Sequence, residues 1–249
     1  MHKIERQQII VNLISTEGKV TIVDLSKRFQ VSEDTVRRDL QELEKQNMLK
    51  RIRAGAIRIG PPVTSFDFRK KFKTDEKIEI SKKLVKNIPQ NKTILIDGST
   101  SNLELTKLFP NNFSATFITN SPPVACELSR LESSEIITLG GELYKNSMIN
   151  IGSITYKEIK NIHADIYIMG IYNIDSSIGT SVPTLEEATI KEAMSSQSDS
   201  IFSIVTNDKF ETISNFIINL DNSSFNIYSQ NVSNDLIEKY RENGITIYQ

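Results

Sequence analysis

VTIVDLSKRFQVSEDTVRRD, residues 20–39, decides how the rest of the chain is read. Leu25 and Phe29 stand four apart and share one helix face. Gln30-Val31 breaks that pattern. Ser32 then stands at an N-cap position, where its hydroxyl accepts from the first free backbone N–H groups of a second helix. Val36, Leu40 and Leu43 recur at i, i+4 and i+7, the stripe of a buried helix face. Arg37 and Arg38 fall off the stripe and face away from the core, as does Thr35. Two short helices joined by a tight turn, the second presenting cations and a hydroxyl, make a helix-turn-helix able to lie in a DNA major groove. The competing reading is an ordinary pair of surface helices with solvated arginines.

The flanks favour the DNA reader. Ile10, Leu13 and Ile14 give an apolar patch to a preceding helix, residues 4–16. Downstream, Met48-Leu49-Lys50-Arg51-Ile52-Arg53 alternates with a period near two, meets Ala54-Gly55-Ala56 and continues as Ile57-Arg58-Ile59, a small cation-edged hairpin or wing. Residues 1–60 hold 12 Lys and Arg against 8 Asp and Glu, net +4, whereas the rest of the chain is net −5. The N-terminal part is the one drawn to phosphates.

Residues 4–59 resemble the DNA-binding domain of DeoR-type transcriptional repressors. The resemblance is carried by Val31-Ser32, Thr35-Val36-Arg37-Arg38-Asp39-Leu40, Leu43, Leu49 and Ala54-Gly55-Ala56. It departs from the pattern at Asn47, where the family usually has Gly, and at Arg53-Ala54-Gly55-Ala56, where the wing usually reads His-Gly-Gly-Ala. Asn still tolerates the left-handed conformation that stops a helix.

The whole chain, 249 residues with 38% hydrophobic and 24% charged content, suits two globular domains. No apolar run approaches the ~18 residues needed to span a bilayer. The first ten residues lack the apolar core of a signal peptide. One cysteine, Cys126, excludes an internal disulfide, and two distant histidines, His2 and His163, offer no metal site. The expectation is a cytoplasmic protein without metal or cofactor.

Gly60-Pro61-Pro62 ends the wing. Residues 61–75 read as a linker whose Phe66, Phe68 and Phe72 dock on a domain; the alternative is a basic arm of Arg69, Lys70, Lys71 and Lys73 facing DNA. From residue 76 to 249, near-continuous apolar strands alternate with helices, the pattern of an α/β domain with a doubly wound parallel sheet. Strands are expected over 93–96, 115–118, 135–139, 165–169 and 200–205. Helices are expected over 76–87, 102–109 and 185–196, with one more from Pro122 or Pro123. Short strands over 216–220, 225–228 and 245–248 complete the sheet.

Ligands in such sheets sit beyond the carboxyl ends of the strands. Gly98-Ser99-Thr100-Ser101 is a small hydroxyl-rich loop opening a helix, suited to a phosphate, and Asp97 stands ready to accept from sugar hydroxyls. Thr119-Asn120-Ser121 and Gly140-Gly141 offer two further walls. Each alone also reads as ordinary turn chemistry.

The family resemblance continues to about residue 230, through Asp97-Gly98-Ser99-Thr100-Ser101, Thr119-Asn120-Ser121, Leu139-Gly140-Gly141, Gly152, Ala164-Asp165, Gly170, Glu187-Ala188 with Lys191 and Met194, and Asp208-Lys209. It implies a sensor domain similar in fold to ribose-5-phosphate isomerases and coenzyme A transferases, binding a phosphorylated sugar. It assigns the phosphate to the loop at Asp97 and makes Lys191 a cationic partner. Ser101 replaces a second Thr, Gly179-Thr180-Ser181 replaces Gly-Leu-Thr, and the acidic run Thr184-Leu185-Glu186-Glu187-Ala188 departs from the family pattern.

The resulting expectation is a repressor of a sugar uptake or catabolism operon, released by a phosphorylated sugar, and not an enzyme. Ser32, Thr35, Arg37, Arg38, Lys50, Arg51 and Arg53 are the expected DNA contacts. Paired operator half-sites imply a homo-oligomer, dimer or tetramer. An activator of the same family remains open. A sugar-phosphate isomerase using Asp97, Glu187 or Asp208 as base leaves the helix-turn-helix without a use.

Overall fold

The computed structural model describes residues 2–46, 48–58, 65–220 and 224–249. The helix stop expected at Asn47, the last wing residue Ile59, and the break at Gly60-Pro61-Pro62 with the first linker residues lie outside them.

The N-terminal unit runs α1 (Lys3–Glu17), β1 (Lys19–Thr21), α2 (Ile22–Phe29), α3 (Glu33–Lys45), β2 (Lys50–Ile52) and β3 (Gly55–Ile57). Its boundaries have local causes. The Thr21 hydroxyl accepts from the Asp24 N–H at 3.1 Å and starts α2. Gln30 turns into the left-handed region (φ 54°) and ends it. The Ser32 hydroxyl accepts from the Thr35 N–H at 3.2 Å and starts α3. Ile10, Ile14, Leu25, Phe29, Val36, Leu40, Leu43 and Leu49 close one core beneath the three helices.

The expected wing hairpin is present, with a third strand. β1 joins it in the order β1-β3-β2, so Val20, read as part of the helical stretch, is strand. Gly55 explains the tight wing sequence: a Cβ there would collide with the Val20 carbonyl oxygen. A buried ion pair, Arg6 Nε to Asp39 Oδ2 at 2.5 Å, ties α1 to α3.

The C-terminal unit continues through α4 (Phe66–Lys71), α5 (Thr74–Val85), β4 (Thr93–Ile96), α6 (Thr100–Thr106), β5 (Thr116–Thr119), α7 (Pro122–Leu128), β6 (Glu135–Thr138), β7 (Glu142–Tyr144), β8 (Ile149–Ile151) and α8 (Ser153–Ile159). It closes with β9 (Ala164–Ile168), β10 (Asn173–Asp175), β11 (Gly179–Val182), α9 (Leu185–Ser196), β12 (Ser198–Ile204), β13 (Phe216–Ile217), β14 (Phe225–Tyr228), α10 (Asn234–Glu242) and β15 (Thr246–Tyr248).

Among the described residues, seven strands form a parallel sheet in the order β15-β14-β12-β9-β4-β5-β6. Alternation along β4 shows the double winding. Ile94 and Ile96 pack with Ile80 and Leu84 of α5 and Val124 and Leu128 of α7. Leu95 faces the other way, in the cluster that holds Ile159 of α8, Ile190 and Met194 of α9 and Tyr240 of α10.

Two expectations are corrected. β13 does not complete the large sheet; it pairs with β11 in an antiparallel sheet β10-β11-β13, while β14 and β15 do join. Of the three phenylalanines expected to dock, Phe66 is buried, but Phe68 and Phe72 are 57% and 45% exposed and stack on each other at 6.5 Å. Their segment is the helix α4, capped by the Ser65 hydroxyl.

The strand order matters for function. β5 and β6 extend from one side of β4, and β9, β12, β14 and β15 from the other, so the winding reverses between β4 and β9. A crevice opens beyond the carboxyl ends of strands at such a reversal.

Candidate functional site

The outer face of α3 presents Arg37 and Arg38 to solvent, with Thr35 half-buried and the Ser32 cap exposed. Arg37 pairs with Glu33 one turn back at 3.2 Å. On the wing, Arg51 pairs with Glu44 at 2.8 Å, and Lys50 donates to Asn215 Oδ1 of the C-terminal unit at 3.0 Å. Arg53 is exposed at the hairpin turn. Arg37, Arg38, Arg51 and Arg53 are thus exposed on α3 and the adjoining hairpin, whereas Lys50 is half-buried and turned to the C-terminal unit.

At the β4/β9 reversal lies a cavity open to solvent. Gly98, Ser99 and Thr100 form one wall. Ser99 accepts from the Asn102 N–H at 2.9 Å and so fixes the loop as the cap of α6. Gly170, at the end of β9, forms the floor; a Cβ there would collide with Ser99 Cβ.

Four cationic side chains line this cavity: Arg69, Lys77, Lys191 and Lys209, against the carboxylates of Glu187 and Asp208. Lys77 donates to Thr100 Oγ1 at 2.9 Å and to the Arg69 carbonyl at 2.6 Å. Lys209 donates to the Ile171 carbonyl at 2.7 Å. Arg69 donates to the Asn146 carbonyl at 2.8 Å and lies 5.5 Å over the Tyr172 ring. Burial lowers the Lys77 ammonium to about 8. Burial also lowers Lys209 to about 8, with Lys77, Arg69 and Lys191 adding repulsion. Burial pushes Asp208 up, but Lys73 at 2.9 Å and the Lys209 charge hold it below the ordinary carboxylate range. The carboxylates of Glu104, Asp208 and Glu76 act against that shift at Lys77, and that of Asp208 at Lys209, without cancelling it.

Asp97 lies buried beneath the cavity. Its Oδ1 accepts from Asn102 Nδ2 at 2.9 Å and the Gly170 N–H at 2.8 Å; its Oδ2 accepts from Tyr167 OH at 2.6 Å and from Lys191. Lys191 also donates to the Gly170 carbonyl at 2.7 Å. Burial, then the Asp97 charge, raises the Tyr167 phenol well above its ordinary value, so it stays a donor. Asp97 therefore aligns the floor and Lys191, with its oxygens already engaged.

The structure gathers Gly98, Ser99, Thr100 and Lys191 at the cavity. It places the other expected ligand residues elsewhere. Ser121 donates to the Met148 carbonyl at 3.0 Å and Asn120 to the Asn150 carbonyl at 3.0 Å, pinning the β7–β8 hairpin. Thr119 Oγ1 accepts from the Ser121 N–H at 3.1 Å. Gly140 accepts from the Thr155 hydroxyl at 2.5 Å beside Gly141, holding α8. Ser101 is buried inside α6.

Three of the cations were missed. Lys77 was legible as an anomaly, because it falls on the buried stripe of α5 with Ile80, Ser81 and Leu84. Lys209 follows a strand end, as does Gly98. Arg69 lies in the stretch read as a linker or a DNA-facing basic arm, and nothing local sets it apart from Lys70, Lys71 and Lys73. Among the described residues, no group of three or more His, Cys, Asp or Glu could hold a metal ion, and no helix is long and apolar enough to cross a membrane.

Comparison with known proteins agrees with both halves. Residues 6–61 match the DeoR-like helix-turn-helix domain, and residues 73–224 match the DeoR C-terminal sensor domain. The glycerol-3-phosphate regulon repressor of Escherichia coli strain K12 is 32% identical over 84% of this chain and 84% of its own length. The HTH-type transcriptional regulator GolR of Listeria innocua is 27% identical over 99% and 98%. Ribose 5-phosphate isomerase A from Neisseria gonorrhoeae overlays 55% of this chain and 54% of its own at 14% identity, with a TM-score of 0.41. Two family matches that together span most of the sequence, and full-length similarity to regulators, establish that the chain belongs to the DeoR family of helix-turn-helix transcriptional regulators.

Proposed function

We propose that the chain is a cytoplasmic repressor of a sugar uptake or catabolism operon, released from its operator when a phosphorylated sugar enters the cavity at the β4/β9 reversal. The observation that carries this reading is the convergence of Arg69, Lys77, Lys191 and Lys209 on the Gly98-Ser99-Thr100 loop. Burial, with repulsion from neighbouring cations, holds two of those ammonium groups near 8, which favours a dianion over a neutral sugar. The phosphate sits between the loop hydroxyls, Lys77 and Lys209, and the sugar extends toward Tyr172 and Glu187. Residues 1–60 read DNA, residues 61–75 connect, and residues 76–249 sense the ligand. Ser32, Thr35, Arg37, Arg38 and Arg53 meet the operator directly; Lys50 and Arg51 do so from the wing. Two copies read paired half-sites, since one small module binds weakly.

Relatives support the class of ligand: one carries glycerol-3-phosphate in the name of the regulon it represses. An isomerase leaves the helix-turn-helix without a use, and of its three candidate bases Asp97 is fully engaged and Asp208 pairs with Lys73.

The test is a gel shift on the DNA upstream of the protein's own gene and of an adjacent sugar-uptake operon. It is run with and without phosphorylated hexoses, pentoses and glycerol 3-phosphate. A shift reversed by a phosphorylated sugar, and not by the same sugar unphosphorylated, is expected. A shift indifferent to every member refutes the sensor reading, and no shift at low salt refutes the DNA reader.

A further inference from the structure

We infer that residues 206–212 transmit occupancy of the cavity to the winged helix, and that Arg58 is the side chain that receives it. This inference rests on the cavity reading given above and names how that site is regulated.

One end of this segment belongs to the cavity: Thr206, Asp208 and Lys209 line it. The other end belongs to the DNA reader. Arg58, directly after β3, donates from one guanidinium nitrogen to two of the segment's carbonyls, Asn207 at 3.0 Å and Phe210 at 2.9 Å. Its backbone bridges to Thr212, while its own N–H donates to the Gly18 carbonyl at 2.8 Å. Glu211 then packs against Gly18 so closely that a Cβ on the glycine would collide with Glu211 Cβ. The start of β1 and the end of β3, which lie side by side in the sheet, therefore rest on the same seven residues.

The segment is tied together and to the elements around it, so a displacement at one end is passed along it. Residues 207–209 form a single tight turn. Its Asn207 N–H is held by Glu76 at 3.0 Å, and Phe210 is buried against Tyr240 with rings 5.5 Å apart. The Glu211 carboxylate accepts from the Ser176 N–H at 3.1 Å and from Tyr240 OH at 3.2 Å. A phosphate at the cavity competes with the Ile171 carbonyl for the Lys209 ammonium. Phe210, whose carbonyl Arg58 holds, is the next residue. A shift of the turn by a fraction of an ångström changes the length and angle of both bonds from one nitrogen, and hydrogen bonds weaken steeply with such misalignment. Ligand and DNA thus bias one shared element, which is what coupling between two sites requires.

Hydrogen–deuterium exchange on the full chain tests this without knowledge of the operator. The probes are inorganic phosphate, glucose 6-phosphate, fructose 6-phosphate and glycerol 3-phosphate, with glucose as the control. In wild type, the phosphorylated probe that binds slows exchange at residues 98–100 and 207–212 and changes it at Gly18 and Arg58 by about fivefold or more, the lower end of ordinary coupling. In Arg58→Gln, the first two responses persist and the response at Gly18 and residue 58 disappears. Arg58→Lys keeps the cation, reaches one carbonyl, and gives an intermediate response; it also serves where the glutamine variant does not fold. Lys19→Gln, which cuts an exposed contact to Ser177 between the same two units, leaves the response intact. A wing response in Arg58→Gln equal to wild type overturns the role of Arg58. Protection of the cavity in wild type with no change at the wing overturns the coupling while leaving the cavity reading. No protection at residues 98–100 with any probe overturns the cavity reading, and this inference with it.

Discussion

Raising the pH from 7 to 9 should weaken the phosphorylated ligand by about tenfold for each buried lysine that holds it. Burial lowers Lys77 and Lys209 both to about 8. Each is therefore about nine-tenths charged at pH 7 and about one-tenth charged at pH 9. A phosphate monoester has its second pKa near ~6 and stays dianionic across that window. If both ammonium groups close on the phosphate, affinity falls by about a hundredfold, or ~2.7 kcal/mol. The linked effect on stability has the opposite slope. Both lysines lie below their unfolded value of 10.5, so between about pH 8 and 10.5 the unligated protein binds fewer protons than the unfolded chain. The unligated protein thus gains stability as pH rises through that window, whereas the stabilisation supplied by the ligand shrinks. Isothermal titration from pH 6.5 to 9.5, in two buffers of different ionisation enthalpy, measures affinity and proton uptake together. Lys209→Met should halve the logarithmic slope. An affinity flat between pH 7 and 9, or a full slope in Lys209→Met, refutes the claim that these ammonium groups hold the phosphate.

Three further outcomes follow from the same contacts. Arg38→Ala removes an exposed cation from the outer face of α3 and should abolish operator binding while titration of the ligand stays unchanged; a variant that loses both would contradict the division of labour. Asp39→Ala strands Arg6 in the winged-helix core and should cost about 3–5 kcal/mol, read as an earlier melt of the N-terminal unit. Lys191→Ala strands Asp97 beside Tyr167, so it should lower the melting temperature before any ligand is added. Pairing it with Asp97→Asn should recover stability, and a Lys191→Ala protein as stable as wild type would show that the pair is dispensable.

How much was legible depended on how local the cause was. The helix-turn-helix came through because its signals lie within 20 residues: an apolar stripe, a Ser32 cap and a break at Gln30. β1 did not, because three residues carry no period, and its partner β3 lies more than 30 residues away. The strand-end loops were found, but strand order is not written in the sequence. Gly98-Ser99-Thr100 flanks the reversal between β4 and β9, whereas Thr119-Asn120-Ser121 and Gly140-Gly141 follow β5 and β6 away from it. The same small polar residues therefore make a cavity wall in one place and a hairpin clamp in the other. Asp97 was read as a free acceptor, since nothing local shows that Tyr167, Asn102 and Lys191 converge on it from three other elements.

The most direct test compares wild type with Lys77→Met on one labelled operator fragment, by fluorescence anisotropy, as the sugar phosphate that releases wild type is titrated in. Lys77 lines the cavity and lies in α5, outside the segment that Arg58 holds. The variant should bind the fragment as tightly as wild type and hold it through concentrations that release wild type. A variant released at the wild-type concentration would contradict the cavity as the place where the signal is read.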